Sequence, residues 1–130
     1  MSEQGVEVVR RGMAAFRERD WDTLASYLDP DILIRTDPRW PEQRIYGREA
    51  ALAFYRGVWE SVGSDVRIEE IVDLEDRVLA VQPLRVSGQL SGIEGEQRVS
   101  TLCTLRAGRI ILIEYFLNHD EALRAVGLVG

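Results

Sequence analysis

Residues 108–120 read GRIILIEYFLNHD. A two-residue turn, Ala107-Gly108, delivers an apolar run from Ile110 to Leu117 with one carboxylate, Glu114, in its middle. The run is too apolar for an exposed strand and is bounded by turn chemistry, so it reads as a strand buried on both faces. A carboxylate taken from water in such a place must find a hydrogen-bond donor or hold a proton. The chemistry of the chain therefore turns on what Glu114 faces: a partner side chain, a dimer contact, or a cavity with a ligand in it.

Working outward, strands and short turns precede this run. The sequence alternates over 65–73, carries a longer strand over 78–87, then a glycine-rich stretch over 88–95 and another strand over 99–106. The helical signals lie earlier. Val6, Val9, Met13 and Phe16 recur at helical spacing and predict a first helix over 3–19, with Ser2 as N-cap. Asp20 is placed to cap a short helix over 21–28, which Asp29-Pro30-Asp31 ends because proline disfavours helix at the residue before it. Ile32-Leu33-Ile34 is a short strand. From 37 to 47 two prolines and the lack of a period indicate an ordered loop. Ala51, Leu52, Tyr55, Val58 and Trp59 then form a stripe at i, i+3, i+4 and i+7, giving a third helix over 47–62 that Gly63 stops. Asn118 opens a final helix, Glu121 closes its capping box, and Gly127 stops it.

The order helix, helix, strand, helix, then consecutive antiparallel strands, indicates an α+β domain with helices on one face of a sheet. A long curved sheet with three helices across it makes a cone whose interior is a natural ligand site. The length, 130 residues, suits one domain spanning 1–130. A formal charge of −6 disfavours nucleic acid as a partner. No apolar stretch approaches a membrane span, and the N-terminus has no apolar block of a signal peptide. Cys103 is the one cysteine and His119 the one histidine, so no internal disulfide or zinc spacing is expected. No phosphate loop or nucleophile elbow appears, and no cofactor or metal is called for. A reduced, cytoplasmic setting is the default.

Several segments in this order resemble the nuclear transport factor 2-like superfamily, in particular its SnoaL-like branch. They are FRERDWDTLASYLDPDI, the pair Asp37-Pro38 ahead of the glycine-led helix Gly47-Arg48-Glu49-Ala50, the turn and strand AGRIILIEYF, and the closing NHDEALRAVGL. The resemblance implies a cone-shaped curved mixed or antiparallel sheet wrapped around three N-terminal helices, with a short C-terminal helix. It also implies a homodimer through the outer face of the sheet. It does not imply one activity, since the family includes ketosteroid isomerase, limonene epoxide hydrolase, polyketide cyclases, dehydratases and non-catalytic binding proteins. Asp37 matches the position of the isomerase's catalytic base, but the isomerase's two oxyanion donors fall at about Gly12 and Cys103, which removes the stabilisation that chemistry needs. Glu114 matches the epoxide hydrolase's water-activating aspartate, whose arginine and aspartate partners fall near Gln82 and Leu84. A polyketide cyclase, with a single carboxylate as acid/base, asks less of the sequence.

The candidate residues each carry two readings. Glu114 is a general acid or base on the cavity floor, or a carboxylate paired with an arginine such as Arg85 or Arg106. Strand alternation places Leu112, Glu114 and Phe116 on one face, the cavity face if any of them is. The same reasoning turns Ala80 and Gln82 inward, subject to bulges that shift the phase. Asp37 is a base at the rim or a simple turn-former. Trp40, Tyr55, Trp59, Phe16 and Phe116 line a flat apolar ligand or form plain core, with Trp40 set in a polar loop where it suits a lid contact. The hydroxyl of Tyr27 or Tyr55 donates to a ligand oxygen or satisfies itself on backbone. Tyr115, opposite Glu114, belongs on the dimer face, His119 is a solvated first-turn residue, and Cys103 is a small buried apolar residue. Three functions follow: a cofactor-independent enzyme of isomerase, hydrolase or cyclase type, a non-catalytic binding protein for a small apolar molecule, or a dimerisation domain.

Overall fold

The computed structural model describes residues 2–36, 44–62, 68–86, 95–117 and 119–127. Helices α1 (Ser2–Arg17), α2 (Trp21–Tyr27) and α3 (Arg48–Val62) are joined by strands β1 (Leu28–Arg35) and β2 (Arg44–Tyr46). Strands β3 (Glu70–Asp73), β4 (Arg77–Val86), β5 (Gly95–Arg106) and β6 (Arg109–Phe116) follow, and α4 (His119–Ala125) comes last. This is the α+β architecture expected from the sequence, and the helical stripes decide it. Asp20 caps α2 as read, accepting from the Thr23 amide at 3.2 Å and from the Thr23 hydroxyl at 2.7 Å. Ala107 and Gly108, at φ 55° and 77°, form the two-residue turn that delivers β6. Gly47, at φ 88°, leads α3 by donating to the Ile32 carbonyl while its own carbonyl accepts from Ala51.

The segment over 37–47 is not wholly loop: β2 pairs with β1 through Leu33↔Tyr46 and Ile34↔Ile45. Three residues with one buried side chain, Ile45, carry no period long enough to register in the sequence. Strand β1 is also longer than its apolar core, starting at Leu28 and absorbing Asp29-Pro30-Asp31 in a register break.

The described strands form a six-stranded sheet of order β2-β1-β6-β5-β4-β3. Strands β1 and β6 run parallel and every other pair is antiparallel, so the sheet is mixed. Its two faces are covered unequally. On the helical side Val9, Phe16, Leu24, Leu28, Ile34, Ala51, Ala80, Cys103 and Ile113 form the main core. Fully burying an aliphatic side chain such as Leu28 or Ile32 is worth about 1.5–3 kcal/mol before entropy is counted. On the other side Leu79, Leu102 and Ala122 form a smaller cluster with Val72, Phe116 and Leu123, where α4 packs back on the sheet.

Strand β6 contains the irregularity that fixes which side chains point where. Leu105 pairs with Ile110 and Thr104 with Leu112, leaving Ile111 as an extra residue. Ile110 and Ile113 therefore share the helical face although they differ in parity. The bulge resets the alternation, and from there on the odd-numbered residues point toward the helices.

Candidate functional site

Between the three leading helices and the inner face of the sheet lies a cavity of about 110 Å³. Helix α1 contributes Val9, Gly12, Met13 and Phe16, α2 contributes Leu24, and α3 contributes Phe54, Tyr55 and Val58. The floor is Ala80 and Gln82 of β4, Val99, Thr101 and Cys103 of β5, and Ile110, Ile113 and Tyr115 of β6. Among the described residues that line it, none carries a charged side chain. Aromatic edges stiffen the helical wall: Phe16 meets Trp21 and Tyr55, each with centroids 6.0 Å apart at 75°.

Among the described residues, the hydroxyl and amide groups of the wall lie in two pairs. The hydroxyls of Tyr55 and Tyr115 are 2.6 Å apart, joining α3 to β6. Thr101 donates to the Gln82 side-chain oxygen at 2.7 Å, and the Gln82 amide nitrogen lies 3.6 Å from the Met13 sulfur. Thr101 sits directly opposite Tyr115 in the β5–β6 ladder, so both pairs belong to one polar band across the inner face. Desolvation raises the pKa of both tyrosines, and it pushes the Cys103 thiol up to about 12. All three stay protonated at neutral pH. The band can thus donate and accept hydrogen bonds, and it carries no charge.

The profile of the SnoaL-like domain matches residues 9–113, most of the chain. The chain belongs to the SnoaL-like domain family. Its fold is that of nuclear transport factor 2-like proteins. Bal32a, from a soil-derived mobile gene cassette, is similar at a TM-score of 0.75 and 24% identity, over 88% of this chain and 89% of that one. TerC co-crystallised with polyporic acid is similar at 0.70 and 19%, over 95% and 98%. A putative polyketide cyclase from Sinorhizobium meliloti is similar at 0.68 and 18%, over 85% and 94%. At such identities the likeness establishes the fold alone. No curated protein matches the chain.

Within this SnoaL-like cone, the residues singled out in the sequence separate into four groups. Phe16, Tyr55 and Gln82 line the cavity together. Leu112, Glu114 and Phe116 do not, which corrects the expected phase of β6. Phe116 packs on the outer side against Leu79 and Leu102, and Glu114 is the cross-strand neighbour of Leu102 on that same side. There the Glu114 carboxylate lies 3.7 Å from the Arg35 guanidinium, with its side chain 25% exposed. Its partner is thus an arginine, as the second reading of this residue had it, though neither Arg85 nor Arg106. Trp59 belongs to the helix packing: its ring N–H donates to the Arg17 carbonyl at 3.3 Å, and the Arg19 guanidinium lies 4.5 Å from its ring centre. Asp37 and Trp40 lie outside the described residues.

Tyr115 is a second correction. Expected on the dimer face, it lines the cavity, because the bulge at Ile111 exchanges the faces assigned to residues 112–116. Thr101 and Met13 were not singled out as site residues. The signal for Thr101 was present in the inward assignment of Ala80, its partner on β4, but using it needs the β4–β5 register. Gly12 and Cys103, near which the resemblance set the isomerase's oxyanion donors, both line this cavity. Here those positions offer a bare backbone and an un-ionised thiol.

Proposed function

We propose that this SnoaL-like protein binds a small, neutral, largely apolar molecule in the cone cavity, with the Tyr55 hydroxyl donating a hydrogen bond to a ligand oxygen. One observation carries the reading: an apolar hollow whose wall presents the Tyr55–Tyr115 hydroxyl pair and no charged side chain among the described lining residues. A charged ligand would leave water without a counter-charge, at a cost of several kcal/mol even with hydrogen bonds. When Tyr115 donates to Tyr55, the Tyr55 proton is directed to the ligand, and one hydrogen bond polarises the other. In this reading the outer sheet face pairs two copies. A reducing cytoplasm suits the lone buried thiol.

A second reading, catalysis of isomerase, hydrolase or cyclase type, is favoured by the same hydroxyls. Phenols that burial keeps protonated stabilise negative charge developing on a substrate oxygen. The base in that reading is Asp37, since Glu114 points to the other face of the sheet.

Binding of cyclohexanone and of cyclohexane, followed by amide chemical-shift titration, tests the proposal. Cyclohexanone should bind the wild-type protein, and Tyr55→Phe should weaken it about tenfold, the worth of one hydrogen bond, with cyclohexane little affected. Glu114→Gln should leave both affinities unchanged. Equal effects of Tyr55→Phe on the two probes, or a loss of binding in Glu114→Gln, would overturn the assignment.

A further inference from the structure

Gln82 is 5% exposed and lines the cavity, yet its carboxamide is only partly matched by its neighbours. Its oxygen accepts from Thr101 at 2.7 Å. Its nitrogen carries two N–H donors, and its partner among the described residues is the Met13 thioether at 3.6 Å. Sulfur of this kind accepts weakly and donates nothing. That fixes the amide's orientation, because turning it over would set the oxygen's lone pairs against those of sulfur. The result is a buried primary amide aimed into an apolar hollow with a better acceptor still to be met. Leaving such a donor poorly matched is costly in a low-dielectric site.

We propose that the Gln82 amide, held by Thr101, is a second recognition point that takes another oxygen of the same ligand, with the flexible Met13 side chain moving aside. The proposal rests on the cavity being a binding site and narrows what it binds. Tyr55 takes one oxygen from the α3–β6 side and Gln82 takes the other from β4, at opposite sides of the floor. Both groups present donors, so both ligand groups are acceptors, and a wall with no charged side chain among the described residues favours a neutral ligand. The size is bounded as well. A cavity of about 150 Å³ holds a benzene molecule, and this one is about 110 Å³. The ligand class is therefore a compact single ring bearing two carbonyl or hydroxyl oxygens, with Met13 supplying the remaining room by changing rotamer.

The experiment compares cyclohexanone with 1,4-cyclohexanedione in four proteins: wild type, Gln82→Leu, the double variant Gln82→Leu/Thr101→Val, and Tyr55→Phe. The double variant replaces both partners of the hydrogen bond with apolar groups, so that no buried donor is left behind and folding, checked by circular dichroism, is retained. The expected result is a preference for the dione over the ketone at least about fivefold greater in wild type than in either Gln82 variant. Tyr55→Phe should weaken both probes and shrink the preference as well, because a single donor is then left for either probe. If the ketone binds with the expected Tyr55 dependence but the preference is the same with and without Gln82, the second recognition point is overturned and the binding function stands. If neither probe binds wild type, both fall.

Discussion

Glu114 and Tyr115 are adjacent in the chain and have opposite surroundings. The carboxylate sits by Arg35 on the outer side, and the phenol enters the cavity to meet Tyr55. Residue identity alone could not separate them. The run from Ile110 to Leu117 is apolar on both sides of Glu114, so alternation says that the two differ in face but not which is inward. What was legible at this scale was chemistry of type: Gln82 as inward-facing, Phe16 and Tyr55 as apolar core or cavity wall, Cys103 as a buried thiol. The thiol carries a prediction of its own. Burial moves its pKa from 9.0 to about 12, so above pH 9 the unfolded chain gives up a proton that the folded chain keeps. Stability is therefore level below pH 9 and falls as pH rises toward 12, by about 1.4 kcal/mol for each unit from this one group. The two tyrosines, raised from 10.0, add to the fall at higher pH. Urea unfolding at pH 8 and pH 10.5 should show a loss that is smaller by about 2 kcal/mol in Cys103→Ala than in wild type. Equal losses would mean that the thiol is not shielded from water.

Elements were the most legible level. The stripes of α1 and α3, the cap at Asp20 and the turn at Ala107-Gly108 each follow from a local rule that the tertiary structure does not override. Strand β2 and the Ile111 bulge were not legible, because each exists only through its partner: β2 through β1, the bulge through the β5 register. Helix α1 offers a direct test of how its inner face meets the cavity. Gly12 lies inside the helix, and a Cβ built there would be 3.7 Å from the Leu24 Cδ1, an ordinary contact. Gly12→Ala should stabilise the fold by about 0.5–1 kcal/mol, by restricting the unfolded chain and favouring helix. The methyl is added to a cavity-lining position, so the same variant should bind cyclohexanone more weakly. Thermal unfolding and the probe titration read the two effects separately, and destabilisation would show that α1 lies closer to its neighbours than this spacing allows.

At the scale of the whole molecule, the cone follows from a sheet covered by three helices on one face and by one short helix on the other. That much could be read from the order of elements and the family resemblance, since helices gathered ahead of consecutive strands must pack on one side of them. The outer face was harder to read, as it depends on where α4 stops. Helix α4 covers Leu79 and Leu102, while Leu33, Leu112 and Thr104 form a part-exposed row across β1, β6 and β5 beside the Arg35–Glu114 pair. This row is the contact we assign to the proposed pairing of two copies. Leu112→Glu would bury a carboxylate in such an interface, at a cost that opposes pairing. If wild type sediments as the proposed dimer, the variant should sediment as a monomer, with cyclohexanone affinity retained. A wild-type protein that sediments as a monomer would remove the pairing from the proposal.

The unpaired residue at position 111 has an architectural side. Taking Ile111 out would leave Leu105 facing Ile110 and Thr104 facing Leu112, so every inward group would keep its place in the ladder. What the shortened strand would lose is the extra bend that such an insertion gives. Roominess and recognition are thus written into separate letters of the same strand, and a deletion there should flatten the vault while sparing the hydroxyls and amide beneath it.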